Sequence, residues 1–305
     1  MTNKALGEHI ITIFKFLQIV PFIMLMRFYP AVWKIISFFI GKSTAETREK
    51  LFGIGRDAAM KRKNDRSKDG RADFMESLLK YGDEKEPISD AELGSNAHIL
   101  FMAGSETTST LLAGATYYLL RNPEVMAKAV AEVRQAFDAE EDITFSTASV
   151  RLPYMLACLE ETLRMYPPVP TVLLRTTPTG QASKVSGLDV PPGTHVGVHQ
   201  LATNYSPSNF RDPHSFAPER WLLGSEYQHD NRDARQPFSL GSRNCIGKNL
   251  AFSEMRQIFA RLLWRFDLEL FHPRLQWERQ KSYTLWAKGP LMCRIQDRLA
   301  KTAAV

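Results

Sequence analysis

The sequence has few cysteines: only three among its 305 residues. Cys158, Cys245 and Cys293 lie far apart and form no C-x-x-C pair. This scarcity argues against a disulfide framework or a structural zinc site, and it is compatible with a reducing compartment. The seven histidines also lack the spacing of metal ligands, and His195 and His199 are interpreted as strand and surface residues. Each cysteine must therefore be judged by its neighbours.

A long uninterrupted apolar run is also missing. Residues 10–40 are strongly apolar, but the longest uncharged stretch, Phe16–Met26, has 11 residues, short of the ~20 needed to span a bilayer. Pro21 and Pro30 would kink a spanning helix. Glu8 and the lack of a small-residue cleavage site speak against a signal peptide. We predict that residues 1–41 form apolar, membrane-facing helices, with a true span and a signal sequence as open alternatives.

The charge balance is mildly basic, with 39 Lys and Arg against 33 Asp and Glu and a formal net charge of +6. Such a balance favours acidic partners or an anionic membrane surface. The densest basic stretch, Arg56–Arg71, is mixed with Asp and has no aromatic residues, which indicates a solvated linker and no nucleic-acid partner. Internal repeats and flavin or nicotinamide fingerprints are absent from the sequence. The economical interpretation is one mainly helical domain over residues 42–305.

The clearest predicted element is a long helix over 89–121. Ser89 followed by Glu92 makes a capping box, the interior is rich in Leu and Ala, and Asn122-Pro123 ends it. Asn122 is predicted to cap the next helix. Further helices are predicted over 123–137, 153–166 and 246–266. A small β-region is predicted over 169–198, and a strand around 291–295.

The segment from Phe238 to Gly247, F-S-L-G-S-R-N-C-I-G, carries the chemistry. Cys245 stands directly before a predicted helix, where the helix N-terminus and Arg243 favour a thiolate ligand for a metal. Gly241 and Gly247 would permit a tight turn that bares the sulfur to a flat cofactor. The alternative is an inert, buried cysteine, the usual fate of a lone Cys.

This segment resembles the haem-binding signature F-x-x-G-x-R-x-C-x-G of the cytochrome P-450 family, with every fixed position present. The resemblance implies the mainly α cytochrome P-450 fold, with a long central helix over haem b and a small β-region. It also implies that Cys245 is the axial iron ligand, that Phe238 shields the thiolate side and that Arg243 pairs with a haem propionate. Arg175 resembles the strand arginine that contacts a propionate in many members, although a plain surface role remains an alternative.

Two further motifs extend the resemblance. The pattern E-x-x-R at Glu161 and Arg164 places both side chains on one helix face, and P-E-R-W follows with Arg220. In the family these three residues form a buried structural triad. The pattern A-G-S-E-T in the long helix resembles the family's oxygen-binding element, which loosens that helix. By resemblance, Thr107 is the oxygen-activating hydroxyl and Glu106 the proton-relay acid.

The resemblance implies a monooxygenase that inserts one atom of dioxygen into an apolar small molecule, most similar to members acting in fungal secondary-metabolite biosynthesis. Electrons would come from NADPH-cytochrome P-450 reductase, because no flavin fingerprint occurs here. The expected place is the cytosolic face of the endoplasmic reticulum membrane. Nothing matches the family's front section, so the chain is expected to be N-terminally incomplete. One alternative is a truncated non-catalytic haem-binding fragment. Another is a haem-thiolate isomerase or dehydratase, but such members usually lack the acid-alcohol pair that Glu106 and Thr107 supply.

Overall fold

A computed structural model describes residues 26, 29, 31–35, 53, 55–65, 73–84 and 88–302. Most of the predicted membrane-facing segment, and its boundary at residue 41, lie outside the described residues and stay predictions. The named helices are α1 (Phe74–Glu84), α2 (Asp90–Arg121), α3 (Pro123–Ala136), α4 (Phe145–Arg151), α5 (Pro153–Met165), α6 (Gln200–Asn204), α7 (Lys248–Arg265) and α8 (Arg298–Thr302). Among the described residues, no helix combines the length and apolar character needed to span a bilayer.

The chain divides into two compact units, residues 1–106 and 107–305. In the first unit, Leu79 of α1 and Leu93 of α2 bury their side chains together with Ala59. The predicted capping box is confirmed at the start of α2. Ser89 Oγ accepts the Glu92 N–H at 3.2 Å, and the Glu92 carboxylate accepts the Ser89 N–H at 3.0 Å. Two otherwise orphaned amides of the first helical turn are thereby satisfied.

The second unit holds the main core, to which the end of α2 and helices α3, α4, α5 and α7 contribute. Its buried members include Leu119 of α2, Val133 of α3, Met155 of α5 and Phe259 of α7. Such burial of apolar side chains is the dominant stabilising term for a helical layer of this kind. The predicted mainly helical fold is confirmed.

Within the described residues, three small antiparallel sheets accompany the helices, each with two strands. Strand β1 (Arg175–Thr176) pairs with β4 (His195–Val196), and β2 (Ser183–Val185) pairs with β3 (Leu188–Val190). Strand β5 (Phe266–Leu270) pairs with β6 (Cys293–Asp297). The first two sheets occupy the predicted β-region, and β6 begins and ends two residues later than the strand predicted around 291–295.

Two predicted details of the helices were wrong. The last long helix ends at Arg265, and Phe266 begins β5, because its backbone pairs with Asp297 far along the chain. Asn122 occupies the N-cap position of α3 but gives that helix no side-chain cap, because its side chain donates back to the Tyr118 carbonyl in the last turn of α2 at 2.7 Å.

Candidate haem-binding site

The loop before α7 bends tightly around Cys245. The Cys245 N–H donates to the Phe238 carbonyl at 2.8 Å, and a 3₁₀ turn spans Gly241–Arg243. Gly241 has φ of +79°, a left-handed conformation that favours glycine. Gly247 differs from expectation, because its φ of −86° suits any residue. A Cβ at Gly247 would lie 3.9 Å from Cys245 Sγ, so the missing side chain leaves open the space beside the sulfur.

The surroundings of Cys245 suit an axial ligand for haem. The residue is exposed, and its neighbours Ile246 and Leu240 are 92% and 68% exposed. The α7 N-terminus follows at once, with Gly247 at the N-cap and no side-chain cap. An accessible sulfur at the positive end of a helix, flanked by uncovered apolar side chains, matches what a thiolate-ligated, flat apolar cofactor requires. The residues present therefore fit the group.

The other two cysteines occupy different settings. Cys158 lies fully buried in the core, and burial raises the pKa of its thiol well above the ordinary value. Cys293 is partly buried in β6, where burial also raises the thiol pKa. Both environments disfavour the thiolate that metal ligation needs. Of the three, Cys245 is the one placed on an exposed loop before a helix.

The remaining predicted cofactor contacts lie in the same unit as Cys245. The Phe238 ring packs at 5.1 Å from the Phe252 ring of α7. Arg243 and Arg175 are both exposed, and Arg175 Nη1 donates to the neighbouring Leu174 carbonyl at 3.2 Å. Their pairing with propionates stays a prediction.

The three predicted triad residues are brought together and are completely buried. The Glu161 carboxylate lies 2.8 Å from Arg164 Nη2 and 3.2 Å from Arg220 Nε. It also accepts the Trp221 indole N–H and the Ala217 amide, each at 3.0 Å. Four residues donate to this one carboxylate, which offsets the cost of removing the charges from water.

The two arginines extend this network into the loops. Arg164 Nη1 donates to the Asn204 and Pro213 carbonyls at 2.9 and 2.7 Å. Arg220 donates to the Asp230 carboxylate at 2.5 Å, an ion pair that the sequence analysis missed. The loop carrying Asp230 has no periodicity, so no sequence pattern could have singled it out. The network ties α5 to the coil that leads to Cys245.

The A-G-S-E-T motif lies within α2, at the border of the two units. Glu106, the last residue of the first unit, is buried, whereas Thr107, the first of the second, is partly buried. The expected loosening is absent, since all residues of 90–121 are α-helical. Ser105 Oγ bonds the Phe101 carbonyl at 2.8 Å within the helix, and a Cβ at Gly104 would meet no atom within 4 Å. The helix thus accommodates these polar residues without a break in its backbone.

Comparison with known proteins finds similarity to one protein family. The family model described as Cytochrome P-450 matches residues 4–293. A trichothecene C-4 hydroxylase of Trichoderma arundinaceum is 48% identical over 278 residues, which cover 89% of this chain and 56% of the relative. Cytochrome P-450 monooxygenase olcB of Penicillium canescens is 44% identical over 314 residues, covering 97% and 64%. The chain spans between about half and two thirds of the length of these curated relatives.

Proposed function

The chain belongs to the cytochrome P-450 family, and from this premise we propose that it is a haem-thiolate monooxygenase with Cys245 as the axial ligand. Members of the family bind haem b through a cysteine thiolate. The observation that carries the proposal is the exposed Cys245 on the tight loop before α7. Phe238 would cover the thiolate side, and Arg243 and Arg175 would neutralise the propionates.

Haem, when bound, would supply an iron centre for the activation of dioxygen. The residues of this chain hold the sulfur in place and move protons. In the proposed division of roles, the Thr107 hydroxyl orients the hydrogen bonds around dioxygen, and the Glu106 carboxyl passes protons to it. The Glu161–Arg164–Arg220 triad acts structurally, by holding the coil before Cys245 against α5.

We propose an apolar small molecule of fungal secondary metabolism as the substrate, supported by the names of the relatives. The electrons would come from NADPH through cytochrome P-450 reductase, at the cytosolic face of the endoplasmic reticulum membrane, with which the chain would make contact. A basic net charge of +6 supports contact with an anionic surface.

The monooxygenase proposal is tested with a trichothecene that lacks the C-4 hydroxyl, together with reductase, NADPH and isotopically labelled dioxygen. We expect a product that carries one labelled oxygen atom and forms only with NADPH. Product formation without NADPH would favour an isomerase or dehydratase. A failure to convert this probe would exclude trichothecenes as the substrate.

The proton-relay assignment is tested by Thr107→Ala. Losing one positioned proton-transfer group costs about 10²–10⁴ in rate, so NADPH oxidation should yield peroxide in place of product while haem is retained. Thr116→Ala is the matched control, because that hydroxyl bonds the Leu112 carbonyl of its own helix at 2.9 Å. Unchanged product per NADPH in Thr107→Ala would remove this residue from the mechanism.

A further inference from the structure

Arg235 belongs to none of the motifs, yet its side chain joins two parts of the site. It lies three residues before Phe238, and its side chain is only 11% exposed. Its guanidinium carbon sits 4.2 Å from the centre of the Trp221 ring, and Nη2 donates to the Glu160 carboxylate at 2.5 Å. A charged group is rarely buried to this extent without a partner and a role.

The partners of Arg235 adjoin the buried triad. Glu160 precedes Glu161 on α5. Glu161 binds Arg220 and Glu160 binds Arg235, so two neighbouring carboxylates bind arginines from two different segments. Trp221 contacts both sets, because its indole N–H donates to Glu161 while its face carries the Arg235 guanidinium. Arg235 is therefore fastened to the same rigid assembly that the triad builds.

From Arg235 the chain leads directly to the cysteine loop. The Gln236 backbone carbonyl accepts the Ser239 N–H at 2.9 Å, and the Phe238 carbonyl accepts the Cys245 N–H at 2.8 Å. A shift at Arg235 would pass through these two backbone bonds to the residue that carries the sulfur.

We propose that Arg235 is a positioning residue that anchors the Cys245 loop to α5 and so sets how the sulfur is presented to haem. This inference rests on the proposed function, since it assigns Arg235 a role toward the same ligand. Arg235 acts through Glu160 and Trp221 and does not itself touch the cofactor.

Simple packing does not account for the choice of arginine. Its Nε and Nη1 atoms are buried and have no hydrogen-bond partner among the described residues. An apolar side chain of similar length would fill the space without that desolvation cost. Only a planar guanidinium lies flat on an indole while its edge bonds a carboxylate, whereas the lysine ammonium acts as a point charge.

The test compares Arg235→Met, the double variant Glu160→Gln with Arg235→Met, and Arg235→Lys. Arg211→Ala is the matched control, because Arg211 is an exposed arginine of the same region that pairs with Glu226 at 3.2 Å. Amide hydrogen exchange is followed in peptides covering 236–247 and, for comparison, in peptides of α5. The thiolate-type fraction of the reduced, carbon monoxide-bound spectrum is recorded for the same samples.

For Arg235→Met we expect exchange over 236–247 to accelerate about tenfold, the change given by losing roughly one strong hydrogen bond, while α5 exchanges as in the parent. The thiolate-type fraction should fall. The double variant, which leaves no unpaired carboxylate, should not restore either signal, and Arg211→Ala should match the parent.

Parental exchange over 236–247 in Arg235→Met would overturn the proposal. Full recovery in the double variant would overturn it too, because it would assign the effect to the unpaired Glu160 carboxylate and not to the lost anchor. If Arg235→Met does not fold, Arg235→Lys is decisive: faster exchange confined to 236–247 supports the anchor, and parental exchange refutes it. A parent without a thiolate spectrum would defeat the proposed function, but the exchange comparison would still judge the anchor.

Discussion

At the scale of single residues, Glu161 shows how a buried charge becomes tolerable. Its side chain is fully inaccessible, yet its two oxygens accept from Arg164, Arg220, Trp221 and the Ala217 amide. Removing one member of such a network leaves the others charged and unpaired in the interior, which costs more than the network itself contributes.

We therefore expect Glu161→Gln to lower the free energy of unfolding by about 3–5 kcal/mol. The control is Glu226→Gln, which removes an exposed carboxylate 3.2 Å from Arg211 and should cost at most about 1 kcal/mol. Denaturant titration of both variants checks this. Equal transition midpoints for the two would contradict the role given to the triad.

The motif residues were singled out by the resemblance to the family, and the geometry of a helix or a turn accounts for only part of their spacing. Glu161 and Arg164 stand three apart on α5, and Gly241 has the positive φ expected of a tight turn. Asp230 and Arg235 were not predictable, since both lie in irregular coil and meet their partners only through folding. No local pattern identifies such contacts.

At the level of helices and strands, two helix starts followed from local chemistry, whereas the contacts between helices did not. Ser89 and Pro153 mark helix starts because caps and N-terminal prolines act within one turn. The place where α2 passes α5 was not visible in the sequence. There, a Cβ on Gly114 would lie 2.8 Å from the Tyr166 ring, which itself stacks on Trp286 at 4.6 Å.

Gly114→Ala should therefore destabilise the protein by about 1–3 kcal/mol, because the buried ring has no room to retreat. Gly104→Ala in the same helix is the matched comparison, since its Cβ would meet no atom within 4 Å, and it should gain up to about 1 kcal/mol in helix propensity. Thermal denaturation of both variants gives the answer. A stabilising Gly114→Ala would disprove the close approach of α2 and α5.

At the scale of the whole molecule, buried tyrosines make stability depend on alkaline pH. Burial raises the pKa of Tyr117, Tyr118, Tyr154 and Tyr205 above the ordinary range. Tyr117 also donates to Glu278 and Tyr154 to Glu219, bonds that ionisation would break. The unfolded chain would release these protons near pH ~10, whereas the folded chain retains them.

The free energy of unfolding should thus not change with pH below the pKa of an unfolded tyrosine. It should fall as pH rises above that value, because only the unfolded chain then releases the protons. Tyr118→Phe keeps the stacking on Phe216 at 5.0 Å. Between pH ~10 and ~12 the free energy of unfolding should fall less steeply in this variant, by a slope that corresponds to up to about one proton. Denaturant titrations across this pH range measure the slope. An unchanged slope in Tyr118→Phe would show that this phenol does not contribute.

Ligation of haem by the Cys245 thiolate can be measured in the absorption spectrum of the reduced, carbon monoxide-bound protein. The parent and Cys293→Ala, whose lost thiol lies in β6, should both show the thiolate-type Soret band. Cys245→Ala should lose that band completely, because no other cysteine in the sequence stands on a loop directly before a helix. A thiolate-type band that persists in Cys245→Ala, or haem bound by the parent without that band, would contradict the account.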